Sequence, residues 1–279
     1  MQIYPFEESD ISYIHSFLKK NEASSQYLIN NLIEHGPHLT GHQNSGNYKI
    51  IKQNNDIIGI YSLTKRGNLI IEAENDIKLD AVLENALKEN IALKGFIGKW
   101  TLVDQLYQLY RKKNPDYKPS LCSKEILYTL ALPSKEKPYH MVRLLDEQDF
   151  DAWKHLHLLF NEERNLFLQV SEEERQIFQA RVLEKRWWGL FSFAGQLISM
   201  AGLSAINDTA GQVGGVFTIP EFRRNGYSRS VILALLHDCY RIHGHRKNIV
   251  FTGSENDAAQ KLYESIGYER TGYFGLILS

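Results

Sequence analysis

Apolar residues along this chain follow two rhythms. In SRSVILALLHDCY, Ile232, Leu235, Leu236 and Cys239 recur at helical spacing and share one face. In YKIIKQNNDIIGIYSL, two apolar runs flank Asn54, Asn55 and Asp56. Asn and Asp tolerate positive φ, so this stretch predicts two strands joined by a tight turn. WGLFSFAGQLISMAGLSA has the same form, with its turn at Ala194, Gly195 and Gln196.

These elements come twice. Each half of the chain opens with a short strand, an acidic turn and a helix, IYPFEESDISYIHSFLKK and then MVRLLDEQDFDAWKHLHLLF. Asp10 and Asp149 stand just before the helical pattern, where an N-cap is expected. The hairpins follow, and then a strand with an amphipathic helix. These are NLIIEA with IKLDAVLENALKENI, and GQVGGVFTI with YSRSVILALLHDCYRI. A strand and a last helix close each half, FIGKW with LVDQLYQLYRKK and NIVFTG with DAAQKLYESIGY. The period of about 140 residues is too long for a solenoid unit and reads as two copies of one domain. Pro133 and Pro138 in LALPSKEKPYH mark a linker. The expected fold is α/β (α+β), with two tandem domains, each a mixed, mostly antiparallel sheet flanked by helices. The first domain is expected over 1–132, the linker over 133–138 and the second domain over 139–279.

The copies differ most where the fourth strand-like run meets its helix. The second copy reads TIPEFRRNGYSR. Pro220 favours extended geometry at Ile219 and cannot continue a central ladder. The stretch from Arg223 to Arg229 is then a loop entering a helix N-terminus, where unpaired N–H groups and the helix dipole favour an anion. Gly226 allows close backbone approach, and Arg223, Arg224 and Arg229 add positive charge. The residues alone leave two readings open, a phosphorylated ligand or a solvated basic helix start. The first copy reads EAENDIKLDAV at this place, with no glycine and with Glu72, Glu74, Asp76 and Asp80 in place of arginines. Carboxylates there would repel a phosphate.

The run Arg223, Arg224, Asn225, Gly226, Tyr227, Ser228 resembles the acyl-coenzyme A motif of the GNAT N-acetyltransferases, which is Arg or Gln, two residues, Gly, one residue, then Gly or Ala. Ser228 departs from that pattern. GSENDAAQKLYESIGYERTG is similar to the family's C-terminal motif. The resemblance is strongest over 139–279, and it casts the first copy as a degenerate GNAT-like domain. It implies acetyl-coenzyme A as co-substrate and a primary amine as acceptor. By the same resemblance, the pantetheine arm follows Val216, Phe217 and Thr218, where a backbone N–H of Val216 or Phe217 is the candidate oxyanion donor. The pyrophosphate falls on the loop from Arg224 to Arg229. Asn256 contacts the cofactor arm, and Tyr263 matches the tyrosine that protonates the leaving thiolate. Base candidates are Glu162 and Glu163 in FNEERN, His157 and Glu221. A non-catalytic acyl-coenzyme A binding protein is the alternative reading.

Composition narrows the partners. Over 279 residues, Lys and Arg total 32 against 33 for Asp and Glu, a formal net charge of -1 that argues against a mainly electrostatic nucleic-acid binder. No apolar run approaches a membrane span. The start MQIYPFEESD lacks the features of a secretory signal, and the two cysteines, Cys122 and Cys239, read as reduced thiols, so a cytoplasmic location is expected. His155 and His157 point to different faces of a predicted helix, and no metal site is expected. Trp187 and Trp188 are expected to pack in the core or at a domain interface. A homodimer is compatible with all of this.

Overall fold

A computed structural model describes residues 1–74, 76–164 and 171–279. Asn75, in the first copy's turn, and Asn165, the last residue of FNEERN, lie outside the described residues.

The first copy contains β1 (Gln2–Pro5), α1 (Ile11–Lys20), α2 (Glu22–His35), β2 (Gly46–Gln53), β3 (Asp56–Thr64), β4 (Asn68–Ala73), α3 (Leu79–Leu87), β5 (Gly95–Lys99), α4 (Trp100–Lys113) and β6 (Leu121–Ala131). The second contains β7 (Arg143–Leu144), α5 (Phe150–Glu163), α6 (Glu172–Leu183), β8 (Trp187–Phe191), β9 (Leu197–Ile206), β10 (Ala210–Thr218), α7 (Tyr227–Arg241), β11 (Lys247–Gly253), α8 (Asp257–Ile266) and β12 (Glu269–Leu278). The chain divides into two compact units. One comprises Met1–Tyr128, Phe251–Ala259 and Arg270–Ser279, the other Thr129–Val250 and Gln260–Glu269. The sequence reading assigned all of 139–279 to one domain, but most of β12 counts with the first unit.

In the first unit β1, β2, β3 and β4 pair antiparallel in succession, β4 pairs parallel with β5, and β12 adds antiparallel to β5. Strand side chains alternate between faces, and helices cover both. Ile60, Ile70 and Ile97 pack with Ile14, Phe17 and Leu28 of α1 and α2. Their neighbours Tyr61, Ile71 and Phe96 pack with Val82, Leu83 and Leu102 of α3 and α4. The turn at Asn54 and Asn55 is left-handed at both residues, with φ of 51° and 71°, as the sequence predicts.

In the second unit β7, β8, β9 and β10 pair antiparallel, and β10 pairs parallel with β11. Trp187 and Trp188 are both buried on β8 and point to opposite faces. Trp187 meets Trp153 of α5 with ring centroids 5.5 Å apart, while Trp188 donates its indole N–H to Asp238 of α7 at 3.0 Å. Cys239 is buried in α7, and burial pushes its thiol pKa up.

Two local expectations change. Asp10 and Asp149 precede α1 and α5, but neither side chain caps its helix. Each stands at the end of a short 3-10 turn and reaches back, Asp10 to the N–H of Glu7 at 3.1 Å and Asp149 to the N–H of Asp146 at 2.8 Å. Asp149 also accepts both arms of Arg143 at 2.7 Å, which holds its carboxyl below the usual range despite burial. The second difference is α2 and α6, which follow the first helix of each copy and were not read from the sequence.

Candidate functional site

β10 is the element on which the site is built. It pairs with β11 only over Ala210–Gln212, opposite Lys247–Ile249. Its remaining residues, Val213 to Thr218, run on without that neighbour in the ladder. Against β9 the register shifts between Gly214 and Phe217, so Gly215 and Val216 together face Ala201. This is a β-bulge, which leaves backbone groups out of the ladder and re-aims the strand. Gly215 takes φ of 62°, and a Cβ there would stand 2.8 Å from the Trp187 ring. The second glycine of GQVGGVFT, Gly215, is therefore required by both conformation and space.

Beyond Thr218, Pro220 begins a short 3-10 turn over Pro220–Phe222, and the chain then enters α7. The helix starts at Tyr227, one turn earlier than the apolar pattern suggested, because Gly226 in the left-handed region (φ 74°) acts as its N-cap. Arg224 is also left-handed, with φ of 67°. Left-handed residues in a turn that opens a helix gather N–H groups into an anion-binding concavity. A Cβ on Gly226 would meet nothing within 4 Å, so the turn faces open space. The backbone thus fits a bound phosphate group.

The three arginines divide the work differently from the sequence reading. Arg223 points back across the strand. Its Nε donates to the Thr218 carbonyl at 3.0 Å, and its two terminal nitrogens bind Glu163 of α5 at 2.9 and 2.8 Å. Arg229 binds Ser265 Oγ and Glu136 Oε2, both at 2.5 Å. Arg224 is exposed and makes no hydrogen bond or ion pair among the described residues. It is the arginine that remains available to a ligand.

Tyr263 is buried in α8, 5.7 Å ring to ring from Tyr268. Tyr268 donates its hydroxyl to Asn248 at 2.5 Å, and burial raises its pKa. Asn256 caps α8, accepting from the N–H of Ala259 at 3.1 Å. Ser254 Oγ donates to Glu255 at 3.4 Å. Glu162 and Glu221 are exposed. Glu163 is held by Arg223, as above. His157 stacks on Trp153 at 4.6 Å with its Nδ1 buried and without a hydrogen-bond partner among the described residues, and burial lowers its pKa.

A search with family profiles matches residues 125–268 to the Acetyltransferase (GNAT) family. The chain belongs to that family. The GNAT match spans just over half of the chain and includes the bulge, the glycine turn and α8. No curated protein sequence matches. Solved structures agree in fold at low identity. An X-ray structure of a Drosophila protein matches with a TM-score of 0.67 at 16% identity, covering 99% of this chain and 98% of that one. A GCN5-related N-acetyltransferase from Sphaerobacter thermophilus matches with a TM-score of 0.62 at 12% identity, covering 99% and 94%. A tandem GNAT protein from the clavulanic acid biosynthesis pathway matches with 0.52 at 12% identity, covering 100% and 98%. GNAT membership implies an acyl-coenzyme A co-substrate.

Several GNAT-site neighbours escaped the sequence reading. Ser199 of β9 sits beside Thr218 in the ladder. Ser230 accepts the N–H groups of Tyr139 and His140, each at 3.3 Å, and His140 Nε2 lies 3.2 Å from the Asn225 carbonyl oxygen. The linker end therefore lies along the start of α7. Prolines and charge identified it as a connection, but no sequence rule ties such a segment to a distant helix. Among the described residues no helix is long and apolar enough to cross a membrane, and no group of three or more His, Cys, Asp or Glu could hold a metal.

Proposed function

We propose that this protein is an N-acetyltransferase that moves the acetyl group of acetyl-coenzyme A to a primary amine by direct attack. The observation that carries this reading is the left-handed glycine turn at the α7 N-terminus, set directly after a bulged strand end that has left its parallel neighbour. The turn from Arg224 to Arg229 would receive the pyrophosphate through backbone N–H groups, with Arg224 as the free cation. Val216, Phe217 and Thr218 would line the pantetheine arm.

In the proposed reaction an N–H of Val216 or Phe217 holds the carbonyl oxygen as negative charge develops on it. The amine forms the new C–N bond while the C–S bond breaks. Tyr263 gives its phenolic proton to the leaving thiolate, and a base takes the proton from the amine. Glu162 is the favoured carboxylate for that step, because the Arg223 guanidinium already occupies Glu163.

The test is thermal stabilisation by acetyl-coenzyme A, followed by an amine screen with the parent and Tyr263→Phe. Stabilisation should occur, at least one amine should turn over, and the variant should lose about a hundredfold in kcat while its cofactor Kd holds. Stabilisation without turnover of any amine would leave a binding protein instead.

A further inference from the structure

Position 228 breaks the family's small-residue pattern, and the structure gives the serine a partner. Ser228 Oγ lies 2.6 Å from Thr218 Oγ1, which lies 2.7 Å from Ser199 Oγ, which donates to the Phe217 carbonyl at 3.2 Å. Each hydroxyl has one proton to give. Ser199 spends its proton on Phe217, so it accepts from Thr218. Thr218 is then committed too, and accepts from Ser228. The chain thus runs one way, from the first turn of α7 through the end of β10 to β9. Thr218 and Ser199 are buried, where such chains reinforce each other. Arg223 holds the Thr218 carbonyl from the other side.

We propose that Ser228 is a positioning residue, fixing the distance between the two places that hold the cofactor, the bulged end of β10 and the glycine turn. Its hydroxyl faces the protein, so its contribution to binding is geometric and not a contact with phosphate. The proposal rests on the acyl-coenzyme A reading of this site. It has a counter-intuitive consequence. Ser228→Gly and Ser228→Ala bring the motif to the family pattern, yet should weaken cofactor binding.

The experiment compares two ligands on the full chain. Acetyl-coenzyme A spans both places, whereas 3′-phospho-ADP reaches only the turn. Ser228→Ala and Ser228→Gly should raise the Kd of acetyl-coenzyme A about tenfold, the worth of one well-made hydrogen bond, and leave that of 3′-phospho-ADP within about twofold. Ser228→Thr, which keeps the hydroxyl, should restore the parent value. Melting without ligand checks that each variant is folded. Equal acetyl-coenzyme A affinity in all four proteins would overturn the proposal. So would a parallel loss for both ligands, the result expected if Ser228 touched phosphate or merely stabilised the fold. A parent that binds neither ligand would overturn the acyl-coenzyme A reading itself, and the proposal with it.

Discussion

β4 and β10 hold the same place in their respective copies, and they end in opposite ways. Each pairs parallel with the next strand over a few residues, Asn68–Ile71 with Gly95–Gly98 in the first copy and Ala210–Gln212 with Lys247–Ile249 in the second. Past that point β10 bulges, continues without its parallel neighbour and delivers the chain to a glycine turn. β4 instead presents Glu72, which is fully buried, ion-paired with Lys99 at the end of β5 and hydrogen-bonded by Ser24 at 2.5 Å. Lys99 also donates to Asn21 at 3.0 Å. The helix that follows starts after Lys78 in extended geometry, with no left-handed cap. One scaffold thus supports an open strand end or a sealed one, and a few residues decide which. The expectation that Glu72 would repel phosphate from the surface is corrected. Glu74, Asp76 and Asp80 are exposed, but Glu72 closes the strand end from inside.

The comparison breaks most visibly at the turn. Gly226→Asp places a side chain and a negative charge where φ is 74°, and should abolish stabilisation by acetyl-coenzyme A in a thermal melt. Retained stabilisation would mean that the open end is not the cofactor's seat. At the sealed end, Lys99→Ala leaves the buried Glu72 carboxylate without its charge partner. Denaturant unfolding should show a loss of about 3 kcal/mol, with the acetyl-coenzyme A Kd unchanged. A change in that Kd would show that the first copy also takes part in binding.

The smallest effect concerns pH, where Glu72 and His157 carry opposite signs. Burial raises the Glu72 pKa, so its contribution is largest in acid and declines as pH rises through the shifted value. Burial lowers the His157 pKa, so the unfolded chain takes up a proton before the folded one as pH falls below about 6.5. Stability of the second unit should therefore drop on acidification through that window. Hydrogen exchange in α5 and β8 between pH 7.5 and 5.5 would register the loss, and His157→Asn should flatten the slope. An unchanged slope in that variant would assign the effect elsewhere.

Much of this difference was legible in the chain itself. The repeat, the Asn54–Asn55 turn and the contrast between RRNGYS and EAENDIKLD all follow from local residue chemistry. What stayed hidden depends on register and long-range pairing. Ser199 cannot be matched to Thr218 without the bulge that shifts the ladder between them. The charge of Arg223 beside the turn is visible in sequence, while its partner Glu163 lies on another helix. Asp10 and Asp149 looked like caps because the rule places such residues there, and the 3-10 turns that redirect them leave no separate mark. In α6 the apolar stripe is weak, and its capping residues Ser171 and Glu174 are the local signal that could have found it.

The antiparallel addition of β12 to β5 also has a history in time. Phe274 to Leu278 pair with residues that leave the ribosome far earlier, Gly95 to Lys99. At roughly 5–20 residues per second, that edge of β5 waits on the order of ten to forty seconds for its partner. During this interval an apolar strand presents unpaired backbone groups to any other nascent chain or chaperone. The portion made first is thus completed last, and premature termination shortly before β12 would injure the beginning of the molecule.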